Sequence, residues 1–496
     1  MKKIVMGLVV MMCMTVVSFA GDKHPFGFDD MIKMQRVSNP QMSPDGGWVV
    51  FDVSLPNLKT NKSEKDIWLV ASDGTGLKQL TKTPTPDYGS VWLNNQEILF
   101  LSVNKGSSQI WKLNPFTLTK KQVSSLPVDV DNLKISPDGK MISFTAEVFP
   151  SCADLECTAK KDKEISEQPS KAYVYDDLMF RHWDSWEDGK RSHLFVMPVS
   201  GGVPVDLTYN INEDVPTKPW GGTEEIAFSP DGKEIAYAVK LAPNPAVHTN
   251  VDIYTVDIAT KKIACVTCEN PATDSVPSYS PDGKYLAYLA MARAGFESDK
   301  FNIILFDRTN GKKTNLTEKW NYSASGINWS DDSKTIFTTA DNKGNKSLFA
   351  IDVATANVKT LIDKHYNDSL SVAGDKLLFT QDSFTTPAEV FVSGLDGSNV
   401  KQITFLNKDT LADIEFSQPE DVWFKGAKGD MVHAWFLKPV GYKEGGHYPL
   451  ALFIHGGPQG SWEDHFHFRG NAEVAAGECF AAAAIDFHGS TGYGQK

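Results

Sequence analysis

The sequence has 496 residues and a mass of 54.7 kDa, which suits two or three domains better than one. Hydrophobic residues make up 41% and charged residues 22%, so the chain can bury a core and is not disordered throughout. The formal net charge of -13 argues against nucleic acid or an anionic membrane surface as the main partner, because both attract basic proteins.

The first twenty residues have the pattern of a secretory signal peptide. Lys2 and Lys3 precede an apolar run over Ile4–Val17, and Ser18-Phe19-Ala20 places small residues before a cleavage site after Ala20. The apolar run is shorter than the roughly 20 residues that a membrane-spanning helix needs. The sequence therefore predicts a soluble exported protein, periplasmic if the source is a Gram-negative bacterium, with no membrane insertion after cleavage.

Five cysteines follow this segment. Cys152 with Cys157, and Cys265 with Cys268, are close enough in sequence to form two local disulfides, which export permits. The second pair also resembles half of a zinc site, but no further pair of metal-type spacing accompanies it, so no metal is predicted. Cys479 lies in an alanine-rich run and is predicted to be a buried free thiol.

A repeat runs through the body of the chain. Four copies of Ser-Pro-Asp-Gly and one degraded copy start at Ser43, Ser136, Ser229, Ser280 and Ser330. The intervals are 93, 93, 51 and 50 residues, and Trp92-Leu93-Asn94-Asn95 fills the first long gap in phase. Proline fixes φ, aspartate caps its own backbone and glycine permits a positive φ, so each copy predicts a turn.

Two further signals recur seven times each, in phase with these turns. The first is an apolar strand followed by a turn, at Asp66–Ala71, Gln109–Leu113, His193–Val199, Asp252–Ile258, Asn302–Asp307, Ser347–Val353 and Glu389–Val392. The second is a Leu-Thr-like strand end, at Leu80-Thr81, Val123-Ser124, Leu207-Thr208, Val266-Thr267, Leu316-Thr317, Leu361-Ile362 and Ile403-Thr404. A period of ~40–50 residues with about four short strands is typical of a propeller blade. We therefore predict an all-β, seven-bladed β-propeller over residues 41–410.

The third blade is interrupted by an insertion at about residues 150–190. Ala159–Lys171 is charged and predicts a loop or an exposed helix. From Tyr173 to Trp186, aromatic side chains alternate with charged ones. Such a stretch suits either an insertion that packs its rings on the propeller rim or a surface that contacts substrate, and the sequence leaves both open.

A different pattern begins at residue 411. The predicted elements are strands at Asp413–Phe416, Val422–Lys425, Met431–Lys438 and Pro449–Ile454, a helix at Asn471–Gly477, and a buried strand at Cys479–Ile485. The run Pro449–Ile454 is continuously apolar, as expected of a strand buried on both faces of a parallel sheet. It ends at His455-Gly456-Gly457-Pro458, and the last strand ends near Gly489-Ser490-Thr491-Gly492-Tyr493-Gly494.

The His-Gly-Gly-Pro motif carries the predicted chemistry. A strand, this motif, a helix and a second strand form the opening of an α/β-hydrolase domain. Glycines directly after a strand leave a backbone N–H accessible, and such a donor can stabilise the negative oxygen that develops during acyl transfer. The alternative is a plain glycine turn between strand and helix. We select the backbone of Gly456 and Gly457 as the oxyanion-hole candidates.

The propeller repeat, His455–Pro458 and Gly489–Gly494 together resemble the prolyl oligopeptidase family (S9) of serine peptidases, which includes acylaminoacyl peptidases and dipeptidyl peptidases. Arg181-His182-Trp183-Asp184 and Arg191-Ser192-His193-Leu194 resemble its bacterial dipeptidyl peptidase 5 branch. The resemblance implies that the propeller caps the active site and that an N-terminal arm, residues 21–40, passes beside the hydrolase domain, residues 411–496. It also implies that Gly457 donates to the oxyanion hole and that His455 is structural.

The sequence departs from this family pattern in two places. His488 stands where the family usually has arginine before Gly-Ser. The nucleophile of the fold lies in Gly-x-Ser-x-Gly, and residues 1–496 contain no such pattern. We therefore expect an incomplete α/β-hydrolase domain and a fragment of a longer peptidase, with the Ser-Asp-His triad beyond Lys496 and no activity in the 496-residue chain. A natural truncation is the alternative.

The predicted function is that of an exported serine peptidase that acts on short peptides and releases dipeptides from their N-termini. Dipeptide release requires carboxylates that hold the free amine, and the insertion offers Asp176, Asp177, Asp184, Glu187 and Asp188. Arg181, Trp183, Asp184 and Glu187 are the candidate substrate-binding residues. Alternatives are an acylaminoacyl peptidase, an esterase on the same fold, and a non-catalytic binding propeller that resembles TolB. No cofactor is predicted, and a homodimer is left open.

Overall fold

A computed structural model of the protein describes residues 23–103, 106–176, 178–242, 244–457 and 459–495. The predicted signal peptide over residues 1–20, and also Asp177 and Pro458, lie outside the described residues. Short β-strands are the predominant secondary structure, and helices are few among the described residues. Among the described residues, no helix is long and apolar enough to cross a membrane.

Consecutive strands form antiparallel sheets that follow one another along the chain. Before the first sheet lie β1 (His24–Pro25) and α1 (Phe28–Met31). We call each group of four strands in this series a unit. Unit 1 consists of β2 (Arg36–Met42), β3 (Trp48–Asn57), β4 (Lys62–Ala71) and β5 (Lys78–Gln79). Unit 2 consists of β6 (Asp87–Asn94), β7 (Glu97–Ser102), β8 (Gln109–Leu113) and β9 (Lys120–Gln122). Unit 1 thus begins at Arg36, earlier than the predicted boundary at residue 41.

Unit 3 contains the insertion between its second and third strands. Its elements are β10 (Asp131–Ile135), β11 (Met141–Val148), α2 (Leu155–Glu167), β12 (Arg181–His182), β13 (Ser185–Trp186), β14 (Arg191–Pro198) and β15 (Val205–Asp206). The sheet has the order β10-β11-β14-β15, while β12 and β13 pair with each other as a hairpin. The charged part of the insertion is therefore the exposed helix α2, one of the two predicted forms.

Units 4 and 5 repeat the four-stranded pattern. Unit 4 consists of β16 (Ile226–Phe228), β17 (Glu234–Val239), β18 (Asp252–Asp257) and β19 (Ile263–Cys265). Unit 5 consists of β20 (Asp274–Tyr279), β21 (Tyr285–Ala290), β22 (Asn302–Asp307) and β23 (Lys313–Asn315). Short 3-10 helices lie at Thr223–Glu225 and Pro245–Val247.

The next eight strands form one continuous sheet with two antiparallel halves. Unit 6 comprises β24 (Asn328–Trp329), β25 (Thr335–Asp341), β26 (Lys346–Asp352) and β27 (Val358–Ile362); unit 7 comprises β28 (Tyr366–Ala373), β29 (Lys376–Ser383), β30 (Thr386–Gly394) and β31 (Lys401–Gln402). A single parallel pair, Lys346 with Tyr366, joins the halves. The strands of units 1–7 lie where the repeat predicted them.

Apolar clusters join each unit to the next. Units 1 and 2 share a cluster that includes Ile67 and Phe100, and similar clusters follow at every later junction up to units 6 and 7. Phe51 of unit 1 lies in one cluster with Leu378 and Val390 of unit 7. The first and last units are therefore in direct contact, although more than 300 residues separate them along the chain.

The repeated turn is held by the serine and aspartate side chains. In the first copy, the Ser43 hydroxyl donates to Asp45 Oδ1 at 2.6 Å and accepts from the Trp48 N–H at 2.9 Å. Gly46 has a φ of +69°, which favours glycine. The same two hydrogen bonds recur at Ser136, Ser229, Ser280 and Ser330.

The Leu-Thr ends also have a shared structural role. Each hydroxyl accepts from a backbone N–H fourteen residues earlier, at 2.8–3.0 Å, in the pairs Thr81–Ile67, Ser124–Ile110, Thr208–Leu194, Thr267–Ile253, Thr317–Ile303 and Thr404–Val390. The Thr404 hydroxyl in turn donates to Glu389. These hydroxyls anchor the outer strand to its neighbour, which explains why the motif recurs.

We expect Thr404→Val to lower the free energy of unfolding by about 1–3 kcal/mol, because it leaves the buried N–H of Val390 and the Oε2 atom of Glu389 without their hydroxyl partner. Urea titration of the 496-residue chain measures this change. Thr309→Val is the control, since Thr309 lies in an exposed turn. An equal, small effect of both substitutions would contradict the assigned role of Thr404.

The C-terminal segment forms a small sheet with helices. Its elements are α3 (Lys408–Ala412), β32 (Ile414–Glu415), β33 (Glu420–Lys425), β34 (Met431–Leu437), β35 (Leu450–Ile454), α4 (Ala472–Gly477), β36 (Ala481–Asp486) and a 3-10 helix at Ala427–Gly429. The sheet order is β33-β34-β36-β35, with β35 parallel to β36. The Asn471 side chain caps α4 by accepting from the Glu473 N–H, which confirms the predicted helix.

The N-terminal arm packs on this segment. Strand β1 pairs in parallel with β32, and Phe26 is buried beside Phe416 and Phe466, with ring centroids 5.1 and 5.7 Å away. The arm therefore lies beside the C-terminal segment, as the resemblance implied.

Two expectations about burial were wrong. Strand β35 is not buried on both faces: it is the edge strand of the described sheet, and Leu450, Leu452 and Ile454 are 58%, 50% and 67% exposed. Cys479 is a free thiol, but it is exposed, because it lies in the turn between α4 and β36, where it adopts a φ of +65°.

Candidate active site

The parallel strands β35 and β36 bring two loops to one edge of the C-terminal sheet. Ile454 pairs in register with Ile485, so His455 and the residues after Asp486 leave the sheet side by side. The Thr491 N–H donates to the Gly460 carbonyl at 2.8 Å and joins the loops directly. We call residues 455–457 and 459–460 the glycine loop. Carboxyl ends of parallel strands are where α/β sheets place their ligands.

The glycine loop exposes bare backbone. Gly456 and Gly457 are both exposed, and Gly457 has a φ of +121°. A Cβ at residue 457 would lie 2.4 Å from the Gln459 carbonyl oxygen, whereas a Cβ at residue 456 would meet no atom within 4 Å. Only glycine therefore fits at 457, and the loop presents the kind of backbone donors that an oxyanion hole requires.

His455 is engaged within these loops. Its Nδ1 lies 3.0 Å from the Gly456 carbonyl oxygen and therefore carries the proton, since a carbonyl can only accept. Its Nε2 lies 2.7 Å from Ser490 Oγ and accepts from that hydroxyl. Ser490 is buried, with 6% exposure. His455 thus links the two loops, which fits the structural role implied for it.

Removal of this link is expected to loosen the glycine loop. We predict that Ser490→Ala, in a chain that carries the expected catalytic triad, lowers kcat roughly tenfold or more with little change in KM, because small displacements of catalytic groups are costly. Ser490→Thr keeps the hydroxyl and serves as the control. Peptide hydrolysis measured by steady-state kinetics tests this, and an unchanged kcat for Ser490→Ala would show that the link is dispensable.

A buried polar network supports the second of the two loops, residues 487–494, which follows β36. Asp486 accepts from the Trp462 N–H at 2.6 Å and from the Tyr493 hydroxyl, and it lies 2.8 Å from His433 Nδ1. The side chains of His433 and Asp486 are both 0% exposed. Burial, and next the Asp486 carboxylate, raises the pKa of Tyr493, which keeps that hydroxyl a donor. The network fixes the start of the loop 487–494.

The same loops contact unit 6. The Thr491 hydroxyl donates to Asp341 at 2.7 Å, and the Lys343 N–H donates to the Gly492 carbonyl at 3.2 Å. Burial, with the nearby Asp341 as a second cause, raises the pKa of Glu463. The Glu463 carboxyl accepts from the Ser461 hydroxyl.

Two His–Asp pairs also join the C-terminal segment to units 6 and 7. Asp464 Oδ2 lies 2.6 Å from His365 Nδ1, and the next residue, His465, lies 2.6 Å by its Nδ1 from Asp382 Oδ1. The hydrogen bond from His365 to Asp464 raises the pKa of the histidine. The His465 ring also stacks on Tyr366, with centroids 4.0 Å apart. Sequence reasoning missed both pairs, because nothing local marks residues 99 and 83 positions apart as partners.

The candidate substrate residues of the insertion lie on the β12–β13 hairpin. Trp183 is 71% exposed, and Asp184 is exposed at the hairpin tip. The Arg181 guanidinium lies 5.4 Å from the Trp186 ring, and Glu187 forms an ion pair with Arg191 at 2.7 Å. Glu187 is therefore already partnered within the insertion.

The aromatic side chains of the insertion stack on one another. A cavity of about 600 Å³ is lined by Lys171, Tyr173, Tyr175, Phe180 and Trp186. The Tyr175 ring is 5.5 Å from Phe180 and 6.1 Å from Trp186, and its hydroxyl donates to the Glu187 carbonyl. Trp186 stays 55% exposed. Within the described part of the chain, no hydrogen bond or ring contact joins this insertion to Gly456 or Gly457.

The four paired cysteines lie where the sequence placed them. Cys152 is bonded to Cys157, and Cys265 to Cys268. The ligand atoms of Asp252, Cys265 and Cys268 lie within 4.8 Å of one another. Because the two sulfurs are joined in a disulfide, they offer no thiolates to a zinc ion.

Sequence and structure comparisons place the chain among known proteins. No family model matches it. It is 30% identical over 472 residues to dipeptidyl-peptidase 5 of Porphyromonas gingivalis, covering 93% of this chain and 68% of the relative. It is 27% identical over 509 residues to dipeptidyl-peptidase 5 of Schizosaccharomyces pombe, covering 99% and 71%. The chain belongs to the prolyl oligopeptidase family of serine peptidases.

Solved structures of the family share the fold. An acylaminoacyl peptidase from Pyrococcus horikoshii superimposes with a TM-score of 0.74 at 17% identity, over 95% of this chain and 68% of its own. A puromycin-hydrolyzing peptidase from Mycobacterium tuberculosis superimposes with a TM-score of 0.67 at 14% identity, over 96% and 70%. The sequence comparisons confirm the predicted family, and these solved structures agree with a propeller-type architecture of repeated four-stranded sheets.

Proposed function

We propose that this member of the prolyl oligopeptidase family is a serine peptidase that hydrolyses short peptides and releases dipeptides from their N-termini. The observation that carries the proposal is the glycine loop, which exposes the backbone of Gly456 and Gly457 at the carboxyl end of a strand. The dipeptidyl-peptidase 5 relatives support the choice of dipeptide release.

In the proposed reaction, the Gly457 N–H donates to the oxyanion that forms when a serine attacks the scissile carbonyl. A histidine takes the serine proton and passes it to the leaving amine, and an aspartate orients that histidine. We propose that this triad follows Lys496 in the full-length protein. His455 is not the base, because both of its ring nitrogens are engaged with Gly456 and Ser490.

We further propose that units 1–7 are the blades of a seven-bladed propeller that begins at Arg36, five residues before the predicted range of 41–410, and that residues 411–496 are the opening part of an α/β-hydrolase domain that the propeller caps. The apolar clusters between successive units, and between Phe51 of unit 1 and Leu378 of unit 7, support the ring. The contacts of Asp464 and Thr491 with units 6 and 7 support the cap.

The insertion is proposed to contact the peptide. It connects the second and third strands of unit 3, and the equivalent connections of units 5, 6 and 7 contact the C-terminal segment through Asp299, Gly344 and Phe384. In a ring, all these connections emerge on one face. Arg181, Trp183, Asp184 and Glu187 would then face the active site, with the exposed Asp184 the most available anchor for a peptide amine. The other candidate anchors for this amine are Asp176, Asp177 and Asp188.

We also propose that the protein is exported to the periplasm after cleavage behind Ala20. The two cysteine pairs suit an oxidising compartment.

The test uses the full-length protein, a fluorophosphonate probe and two chromogenic substrates, a dipeptide with a free amine and an N-acetylated amino acid. Labelling of one serine, with faster turnover of the free dipeptide, supports the proposal. Faster turnover of the acetylated substrate would favour an acylaminoacyl peptidase, which the Pyrococcus horikoshii structure supports as the second candidate. No labelling and no turnover would overturn a catalytic role and favour a binding propeller.

A further inference from the structure

The disulfide between Cys265 and Cys268 closes a turn that does not require it. The turn follows β19 and includes Thr267, whose hydroxyl accepts from the Ile253 N–H at 2.9 Å and donates to Asp252 at 3.2 Å. Five other units form the same turn, anchored by a Thr or Ser hydroxyl, with side chains other than cysteine at the two flanking positions. The backbone of unit 4 is therefore held in place whether the disulfide is open or closed.

Both sulfurs are accessible and have polar partners. Cys265 and Cys268 are exposed. The Cys268 N–H donates to Cys265 Sγ at 3.1 Å, and the Tyr254 hydroxyl lies 3.2 Å from Cys268 Sγ. An N–H directed at a sulfur stabilises a thiolate there, as a nearby cation does in Cys-x-x-Cys motifs.

A cleft borders the first sulfur. It has a volume of about 500 Å³, and its wall includes Cys265 and two ion pairs, Arg308 with Glu234 and Lys313 with Glu269. Lys313 Nζ also donates to the Val266 carbonyl at 2.6 Å, which places its charge at the turn between the two cysteines. In addition, a carboxylate oxygen of Asp252 lies within 4.8 Å of both sulfurs. The charges around Cys265 are therefore mixed, so the Cys268 N–H is the feature that favours a thiolate on Cys265, and Lys313 offsets the nearby carboxylates.

We propose that Cys265–Cys268 is a thiol–disulfide exchange site that a low-molecular-weight thiol opens reversibly, with Cys265 as the leaving sulfur. The incoming thiolate attacks Cys268 Sγ, the S–S bond breaks, and its electron pair stays on Cys265 as a thiolate that accepts from the Cys268 N–H. A second thiol then attacks the mixed disulfide and releases the Cys268 thiol. In total, two thiols are oxidised to one disulfide and the two cysteines are reduced.

The chain contains a matched control in Cys152–Cys157. Cys157 lies in the first turn of α2, and its N–H donates to the Asp154 side chain at 2.7 Å rather than to a sulfur. The two disulfides are therefore both local and both in the same protein, but the sulfur-directed N–H is found at Cys265–Cys268 and not at Cys152–Cys157.

The experiment titrates the folded protein with reduced dithiothreitol, blocks free thiols with N-ethylmaleimide, and quantifies each pair by peptide mass spectrometry. We expect Cys265–Cys268 to open at a concentration on the order of tenfold lower than Cys152–Cys157. Opening of both pairs together, or of Cys152–Cys157 first, would overturn the proposal.

Two further measurements test the assigned roles. After reduction, iodoacetamide should alkylate Cys265 at lower pH than Cys268. Lys313→Met should shift the pH dependence of alkylation to higher pH for Cys265 alone, whereas Lys312→Met should leave it unchanged. Identical profiles for both thiols would refute Cys265 as the leaving sulfur. The double substitution Cys265→Ser with Cys268→Ser should keep the thermal midpoint, and a marked fall would show that the turn depends on the disulfide.

Discussion

Gly457→Pro in the full-length protein is expected to lower kcat on the order of 10²–10³-fold or more. The substitution removes the N–H that we propose as the oxyanion donor, and a single such donor is worth this much in acyl transfer. Proline also requires a φ near -65°, whereas Gly457 has a φ of +121°, so the glycine loop changes shape as well. Steady-state kinetics with a chromogenic dipeptide measure the effect, with KM expected to change far less than kcat.

Gly429→Pro is the matched control for this loss. Gly429 also has a positive φ, +84°, and lies in an exposed turn of the same C-terminal segment. Its substitution imposes the same backbone conflict away from the glycine loop, and we expect kcat to stay near that of the unmodified protein. Near-normal turnover of Gly457→Pro would reject the oxyanion assignment, and equal losses in both variants would attribute the effect to general loosening of the segment.

Asp486→Ala is expected to lower the free energy of unfolding by about 3–5 kcal/mol, because it removes one partner of a fully buried pair and leaves His433 and the Trp462 N–H without an acceptor. Urea titration followed by tryptophan fluorescence suits this measurement, since Trp462 lies at the network itself. The large effect should appear in the 496-residue chain, because Asp486 and its partners are all within it.

Asp430→Ala provides the comparison for Asp486. Asp430 lies 3.4 Å from His488, but these side chains are 61% and 53% exposed, and exposed pairs contribute little to stability. We expect its removal to change the unfolding free energy only slightly. If both substitutions had equally small effects, the Asp486 network would not support the loop that follows it.

The repeat was predictable because its information is local. Ser43, Asp45 and Gly46 make their turn within six residues, and the same chemistry recurs at each copy, so a single sequence reveals it. The anchored strand ends were visible as Leu-Thr pairs, although their fourteen-residue hydrogen bonds to an earlier strand were not.

The contacts between distant segments were not predictable in this way. Asp464 and His465 carry no local mark of their partners His365 and Asp382, since these pairs join segments that are 99 and 83 residues apart in the sequence. The burial of β35 failed for a related reason. An apolar run shows that a strand is suited to two covered faces, but it does not show whether an element covers each face of Leu452.

The contact between units 1 and 7 has a consequence for synthesis of the chain. Phe51 and Val70 pack against Leu378 and Val390, which a ribosome adds more than 300 residues later. At roughly 5–20 residues per second, the apolar side of unit 1 waits on the order of tens of seconds for its partner. During that interval the nascent chain exposes a strand-rich hydrophobic surface, so its yield in the cell depends on protection of this surface from aggregation until the last sheet emerges.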